Sequence, residues 1–172
     1  MDLTEQVISK EVMFKGDFLT VERTKVKLPN GKEGNRDIVR HPGAVAILAF
    51  LDEDTIILEK QFRLPFNKTI LEIPAGKLEN NENIENAARR ELEEETGYKA
   101  NKMEFLGKIM TAAGFCDEFI YIYKATELYS GAKNCDEDEF IEIDGYKISK
   151  VKEMIKKGEI MDVKTISALM YL

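Results

Sequence analysis

Hydrophobic positions along this chain fall first into short alternating stretches, then one continuous run, then helical spacing. Residues 7–14, 18–28 and 36–39 alternate apolar with polar side chains, the period-two pattern of strands with one covered face. Lys15-Gly16-Asp17 and Pro29-Asn30-Gly31 punctuate them, and an Asn-Gly pair favours a tight hairpin. An antiparallel β-unit over residues 1–40 is therefore predicted. Residues 43–51 are almost uninterruptedly apolar, as in a strand buried on both faces. Asp52-Glu53-Asp54 turns the chain, residues 55–62 return as a strand, and a short strand at 71–73 stops at Pro74-Ala75-Gly76.

The spacing changes after residue 83. Ile84, Ala87, Ala88 and Leu92 form a narrow apolar stripe, predicting a helix over Ile84–Thr96. Asn83 is its N-cap, and Gly97 stands where a left-handed residue ends a helix. Strands follow at 103–110, 119–125 and 140–145, then helices at 151–157 and from an Asp162 N-cap to 172. Early hairpins, and strands on both sides of helices, predict an α/β (α+β) fold: a sandwich on a mixed sheet. Residues 41–172 form its main domain, after the N-terminal β-unit.

Composition narrows the function classes. The 172 residues carry 32 acidic and 25 basic side chains, a formal net charge of −7. That field repels polynucleotides and anionic lipid, so neither nucleic acid nor a membrane is expected as partner. A small anion stays admissible if basic groups or bound cations neutralise it locally. The N-terminus has no signal-peptide core, and Cys116 and Cys135 have no metal-type spacing, so reduced thiols in a cytoplasmic protein are expected. The single His41, beside Pro42, makes a histidine-based triad a poor fit and reads as structural.

The chemistry gathers between Gly76 and Tyr98. On a helix Glu91, Glu94 and Glu95 fall within about 100° of one another, and like charges at i,i+4 repel. A cluster of oxygen ligands on a rigid helix suits Mg²⁺ or Mn²⁺, which would turn the repulsion into coordination. Arg90, one turn before Glu94, is placed to orient that carboxylate. Gly76 permits a tight strand-to-helix loop, and the Ala75 carbonyl there is a candidate ligand. A Glu-rich helix is usually just a solvated face. Here the co-occurrence of Gly76, Glu82, Arg90-Glu91-Leu92, Glu94-Glu95 and Gly97 has a chance on the order of 10⁻⁹ per register, which favours a site.

That spacing resembles the Nudix hydrolases: Gly, five residues, Glu, seven residues, Arg-Glu-aliphatic, one residue, Glu-Glu, one residue, Gly, aliphatic. Tyr98 takes the final aliphatic place. Arg40-His41-Pro42-Gly43-Ala44-Val45, Gln61-Phe62-Arg63, Glu72-Ile73-Pro74-Ala75-Gly76 and Ala113-Gly114-Phe115 with Asp117-Glu118 look like the ADP-ribose pyrophosphatase branch. So do the acidic run 136–139 and Asp162-Val163-Lys164-Thr165. The resemblance implies a Nudix-type α/β/α sandwich and metal-dependent hydrolysis of a nucleoside-diphosphate linkage, ADP-ribose giving AMP and ribose 5-phosphate. It implies two or three divalent ions held by Glu91, Glu95, Glu139 and the Ala75 carbonyl. Glu94 is then a further ligand or support, and Glu137 the general base. It further implies Arg63, Arg40 and Gly114 as substrate contacts, and a homodimer joined through the N-terminal β-unit. Ala113 departs from the proline usual in that branch, which weakens the substrate assignment and not the hydrolase one.

Competing readings stay open at single residues. Residues 136–139 also read as a solvated acidic loop, Arg63 as an exposed strand end and Arg40 as a surface ion pair. Phe14 or Phe18 could stack on a base, with core packing the default. Beyond ADP-ribose stand a nucleotide sugar of mannose or glucose, a dinucleoside polyphosphate, or a non-catalytic nucleotide sensor.

Overall fold

The computed structural model describes residues 2–135 and 139–172. They form two compact units, residues 1–43 with 110–119 and residues 44–109 with 120–172. The first takes in residues 110–119 besides the β-unit expected over residues 1–40. Its core is an antiparallel sheet in the order β1 (Gln6–Lys15), β2 (Thr20–Lys27), β3 (Glu33–Arg40). The Val39 N–H donates to the Phe115 carbonyl at 2.7 Å, and Asp117 N–H to Val39 at 3.1 Å, tying the second segment to β3.

The second unit is built on β4 (Ala44–Ala49), all of whose residues are buried. Alternate side chains enter opposite cores, because a strand points successive residues to opposite faces. Ala44, Ala46 and Leu48 pack with Val151, Met154, Ala168 and Leu169. Val45, Ile47 and Ala49 pack with Ala87, Ala88 and Leu92. The helices α1 (Ile84–Thr96), α2 (Ile148–Lys156) and α3 (Val163–Leu169) carry these partners, so α1 covers one face and α2 with α3 the other. The α/β/α layering follows from that alternation.

Two sheets make the middle layer. One has the order β7 (Ala75–Lys77), β4, β9 (Phe119–Ser130), β8 (Tyr98–Met110). It is mixed, since β4 runs antiparallel to β7 and parallel to β9. The other places β5 (Thr55–Arg63) between β10 (Glu142–Lys147) and β6 (Lys68–Glu72), both antiparallel.

Several boundaries differ from the sequence expectation. Ala75–Lys77, read as a stop, is a strand paired with Ala44–Ala46. It has no apolar alternation to betray it, and it is held by pairing with β4 and by side chains of α1. The strand expected over 71–73 spans Lys68–Glu72. The one expected over 103–110 begins at Tyr98, directly after the helix ends. Helix α2 starts at Ile148 rather than 151, and α3 stops at Leu169 rather than 172.

Candidate active site

Fixed ends set the rotation of α1. The Asn83 side chain accepts the Asn86 N–H at 3.2 Å, and Gly97, at φ 73°, donates its N–H to the Glu93 carbonyl at 2.8 Å. Both caps fall on the residues the sequence points to. With Ala87, Ala88 and Leu92 turned into the core, Glu91 and Glu95 are carried into buried positions against β7.

Gly76 is the point of closest approach. A Cβ built there would lie 1.9 Å from Glu91 Cδ, and 2.1 and 2.2 Å from its two oxygens. The expected role for Gly76 was a tight loop. It is a strand residue instead, and its missing side chain is the space Glu91 occupies. One residue earlier, the Ala75 N–H donates to Glu95 Oε2 at 2.9 Å.

Arg90 holds the remaining charge together. Its Nε and Nη2 donate to the two oxygens of Glu82 at 2.9 and 3.0 Å, a bidentate pair. Its Nη1 donates to Glu91 Oε1 at 2.8 Å and Glu94 Oε2 at 2.9 Å. One guanidinium thus serves three carboxylates. Glu139 acts electrostatically on Glu91 and Glu95. The chain before it is strapped to α1, since the Asn134 N–H and the Cys135 thiol donate to the Glu94 carbonyl at 2.9 and 3.5 Å. Glu137 lies outside the described residues. A cleft of about 690 Å³ opens beside Glu139, with Lys60, Lys133, Phe62 and Phe140 in its walls.

The acidic side chains titrate unequally. Burial pushes Glu91 up to about 7 against the pull of Arg90, with Glu94 and Glu139 adding to the rise. Burial is also the first cause for Glu95, followed by the charges of Glu59 and Glu91. Glu59 rises through burial and then through Glu72. Glu82 moves the other way, held below its usual range chiefly by the Arg90 hydrogen bonds. Like-charge repulsion, the cause expected from sequence, is therefore second to desolvation. Among the described residues no group of three or more His, Cys, Asp or Glu is already arranged as a metal cage. Glu91 is engaged by Arg90 and Glu95 by the Ala75 N–H.

A second buried network lies on β5 and β6. Arg63 Nε donates to Glu72 Oε1 at 2.8 Å, so this arginine is partnered rather than a loose strand end. Lys164 donates to the other oxygen of Glu72, and to Asp162 at 3.1 Å. Asp162 caps α3 by accepting the Thr165 N–H at 2.9 Å, and Thr165 Oγ1 accepts the Ile73 N–H at 2.9 Å. Sequence reading assigned no role to Glu59, Glu72 or Lys164. The signal for Glu59 was phase, since Ile57, Glu59, Gln61 and Arg63 share the side of β5 whose Ile57 is core.

The first unit holds the other expected contacts. Of the two readings of Arg40, the ion pair is what the structure shows, with Glu22 at 2.8 Å and Asp117 at 3.0 Å. His41 Nδ1 accepts the Gly43 N–H at 3.1 Å, and its ring meets Phe18 edge-on at 5.5 Å. Phe14 and Phe18 are both exposed, so the core-packing default fails for them. Gly114 is exposed in a turn, and a Cβ added there would meet nothing within 4 Å.

Comparison with known proteins decides the family. A family model described as the NUDIX domain matches residues 40–168. The chain belongs to the NUDIX family. An ADP-ribose pyrophosphatase of Bacillus subtilis is 45% identical over 172 residues, covering 99% of this chain and 93% of that one. A methanol dehydrogenase activator of Bacillus methanolicus is 44% identical over 170 residues, covering 98% and 92%. A crystal structure of an ADP compounds hydrolase, 22% identical, superposes with a TM-score of 0.87 over 99% of this chain and 94% of its own, which supports the same fold. Nudix hydrolases are generally dependent on divalent metal ions.

Two outcomes follow from this geometry. Gly76→Ala should displace the Glu91 carboxylate and lower hydrolytic turnover by about 10²-fold, with circular dichroism unchanged. Undiminished turnover would show that Glu91 is not needed where it sits. The second concerns pH in metal-free protein. Between the ordinary 4.5 and the raised value of about 7, folded Glu91 keeps a proton that the unfolded chain has lost. Stability is then fully present below 4.5 and falls as pH rises through about 7, so Tm in EDTA should drop across that window. A flat or rising Tm there would contradict the burial of this carboxylate.

Proposed function

We propose that this Nudix protein hydrolyses ADP-ribose to AMP and ribose 5-phosphate, using two or three Mg²⁺ or Mn²⁺ ions. The observation that carries the reading is the seating of Glu91 in the space left by Gly76, beside Glu95 and under Arg90. Buried carboxylates with raised proton affinity fit a cation, because a cation replaces the proton that burial otherwise requires. In this reading Glu91, Glu95, Glu139 and the Ala75 carbonyl hold the metal. When bound, it neutralises the diphosphate and lowers the pKa of the attacking water.

The chain's own residues do the rest. Arg90 fixes Glu94 and Glu91, so Glu94 serves as a ligand or as support for one. Arg63 offers its remaining fork to a diphosphate oxygen while Glu72 holds its Nε. Glu137 is assigned as the base that takes the proton of the attacking water, on its place in the acidic run. Arg40 and Gly114 are further substrate contacts in this reading. The cleft near Glu139 offers a nucleotide the ammonium groups of Lys60 and Lys133 and the rings of Phe62 and Phe140, alongside the carboxylates of Glu139 and Glu142. Two free thiols are compatible with a cytoplasmic setting, and no described helix is long and apolar enough to cross a membrane.

The test is AMP release from ADP-ribose, mannose and glucose nucleotide sugars and dinucleoside polyphosphates, with Mg²⁺ and with EDTA. ADP-ribose should be the best substrate, and Glu91→Gln should exceed the roughly 10–100-fold loss typical of outer-shell metal partners. Tight nucleotide binding without turnover on any of them would replace the enzyme with a sensor.

The N-terminal sheet supports a homodimer as the working assembly. Val7, Val12 and Phe14 on β1 are 58, 59 and 58% exposed, apolar area that a second copy would cover. Sedimentation should give twice the 19.7 kDa chain mass. A stable, fully active monomer would remove the dimer from the reading.

A further inference from the structure

Strand β5 carries one buried acid that the reading above does not use. Glu59 is 0% exposed and stands opposite Glu72 in the β5–β6 register. Glu59 and Glu95 act on each other electrostatically. Neither oxygen of Glu59, nor Oε1 of Gln61 two residues on, has a hydrogen-bond partner among the described residues. Residues i and i+2 of a strand share a face, so both side chains belong to the same face of β5.

The nearby donors are committed elsewhere. Arg63 and Lys164 donate to Glu72, and Lys164 also to Asp162. Arg90 is taken by Glu82, Glu91 and Glu94, and the Ala75 N–H by Glu95. The three unpaired atoms are therefore all acceptors, and a buried carboxylate without a hydrogen-bond donor is strongly disfavoured. A single proton shared by Glu59 and Glu95 would satisfy those two and leave the Gln61 oxygen without a donor. A hard cation takes all three, since Mg²⁺ and Mn²⁺ accept carboxylate and amide oxygens alike.

We propose that Glu59 is a further carboxylate ligand for a divalent cation, which it shares with Glu95 and which the Gln61 amide oxygen helps to complete. The site extends the metal cluster from the α1 glutamates onto β5, and it rests on the reading of Glu95 as a metal ligand. Water or a substrate oxygen fills the remaining coordination positions.

The test counts Mn²⁺ bound by substrate-free protein, by electron paramagnetic resonance of the free ion during titration. Glu59→Gln keeps the shape and removes the charge. It should lose one Mn²⁺ per chain, or bind that ion about tenfold or more weakly, while keeping the Mn²⁺ that depends on Glu91. Gln61→Leu leaves the carboxylate pair intact and should weaken the same ion. Unchanged stoichiometry and affinity in both variants would overturn the proposal and leave a proton between Glu59 and Glu95. If Glu91→Gln then still abolishes a Mn²⁺, the assigned metal cluster stands without Glu59. No Mn²⁺ on the wild-type chain would overturn both.

Discussion

One guanidinium shared among three carboxylates is the constraint on which the site depends. Glu82, Glu91 and Glu94 converge on Arg90, and Glu91 is further confined by the absence of a side chain at Gly76. Each condition needs the other. Without Arg90 the carboxylates would repel one another in a partly buried place, and without the glycine Glu91 would have nowhere to lie. The helix is positioned by its caps and its apolar stripe, so its charged flank cannot rotate away from the crowding.

In the proposed reading the same crowding makes the site receptive to cations. Buried acids that hold protons at neutral pH are poor ions alone and good ligands in company. On β5 and β6, by contrast, Glu72 is saturated by Arg63 and Lys164. The two acidic neighbourhoods thus differ in counter-charge, since a lysine and an arginine serve the single Glu72 while one arginine serves Glu82, Glu91 and Glu94.

What was legible in the sequence was what is decided locally. Asn83 and Gly97 mark the helix ends because capping involves only adjacent backbone. The all-buried β4 was visible as an apolar run, and the fold class followed from the alternation of elements. What was hidden depended on partners distant in the chain. Ala75–Lys77 is a strand only because Ala44–Ala46 pairs with it, and Gly76 is needed for a side chain fifteen positions on. Glu59 had no assigned role, and its burial follows from Ile57 on the same face being core. Phe14 and Phe18 resembled core residues, since apolar character alone does not say whether anything covers it.

The tie between α3 and the end of β6 bears on the order in which contacts can form. Lys164 and Thr165 come ninety-odd residues after the groups they hold, Glu72 and Ile73. A chain still leaving the ribosome therefore reaches the glutamate helix long before the lysine that neutralises Glu72 is made. In that interval Glu72 lacks the lysine, and the backbone N–H of Ile73 lacks its acceptor. The link between α3 and the segment leading into β7 can therefore close only after residues 162–165 have been made.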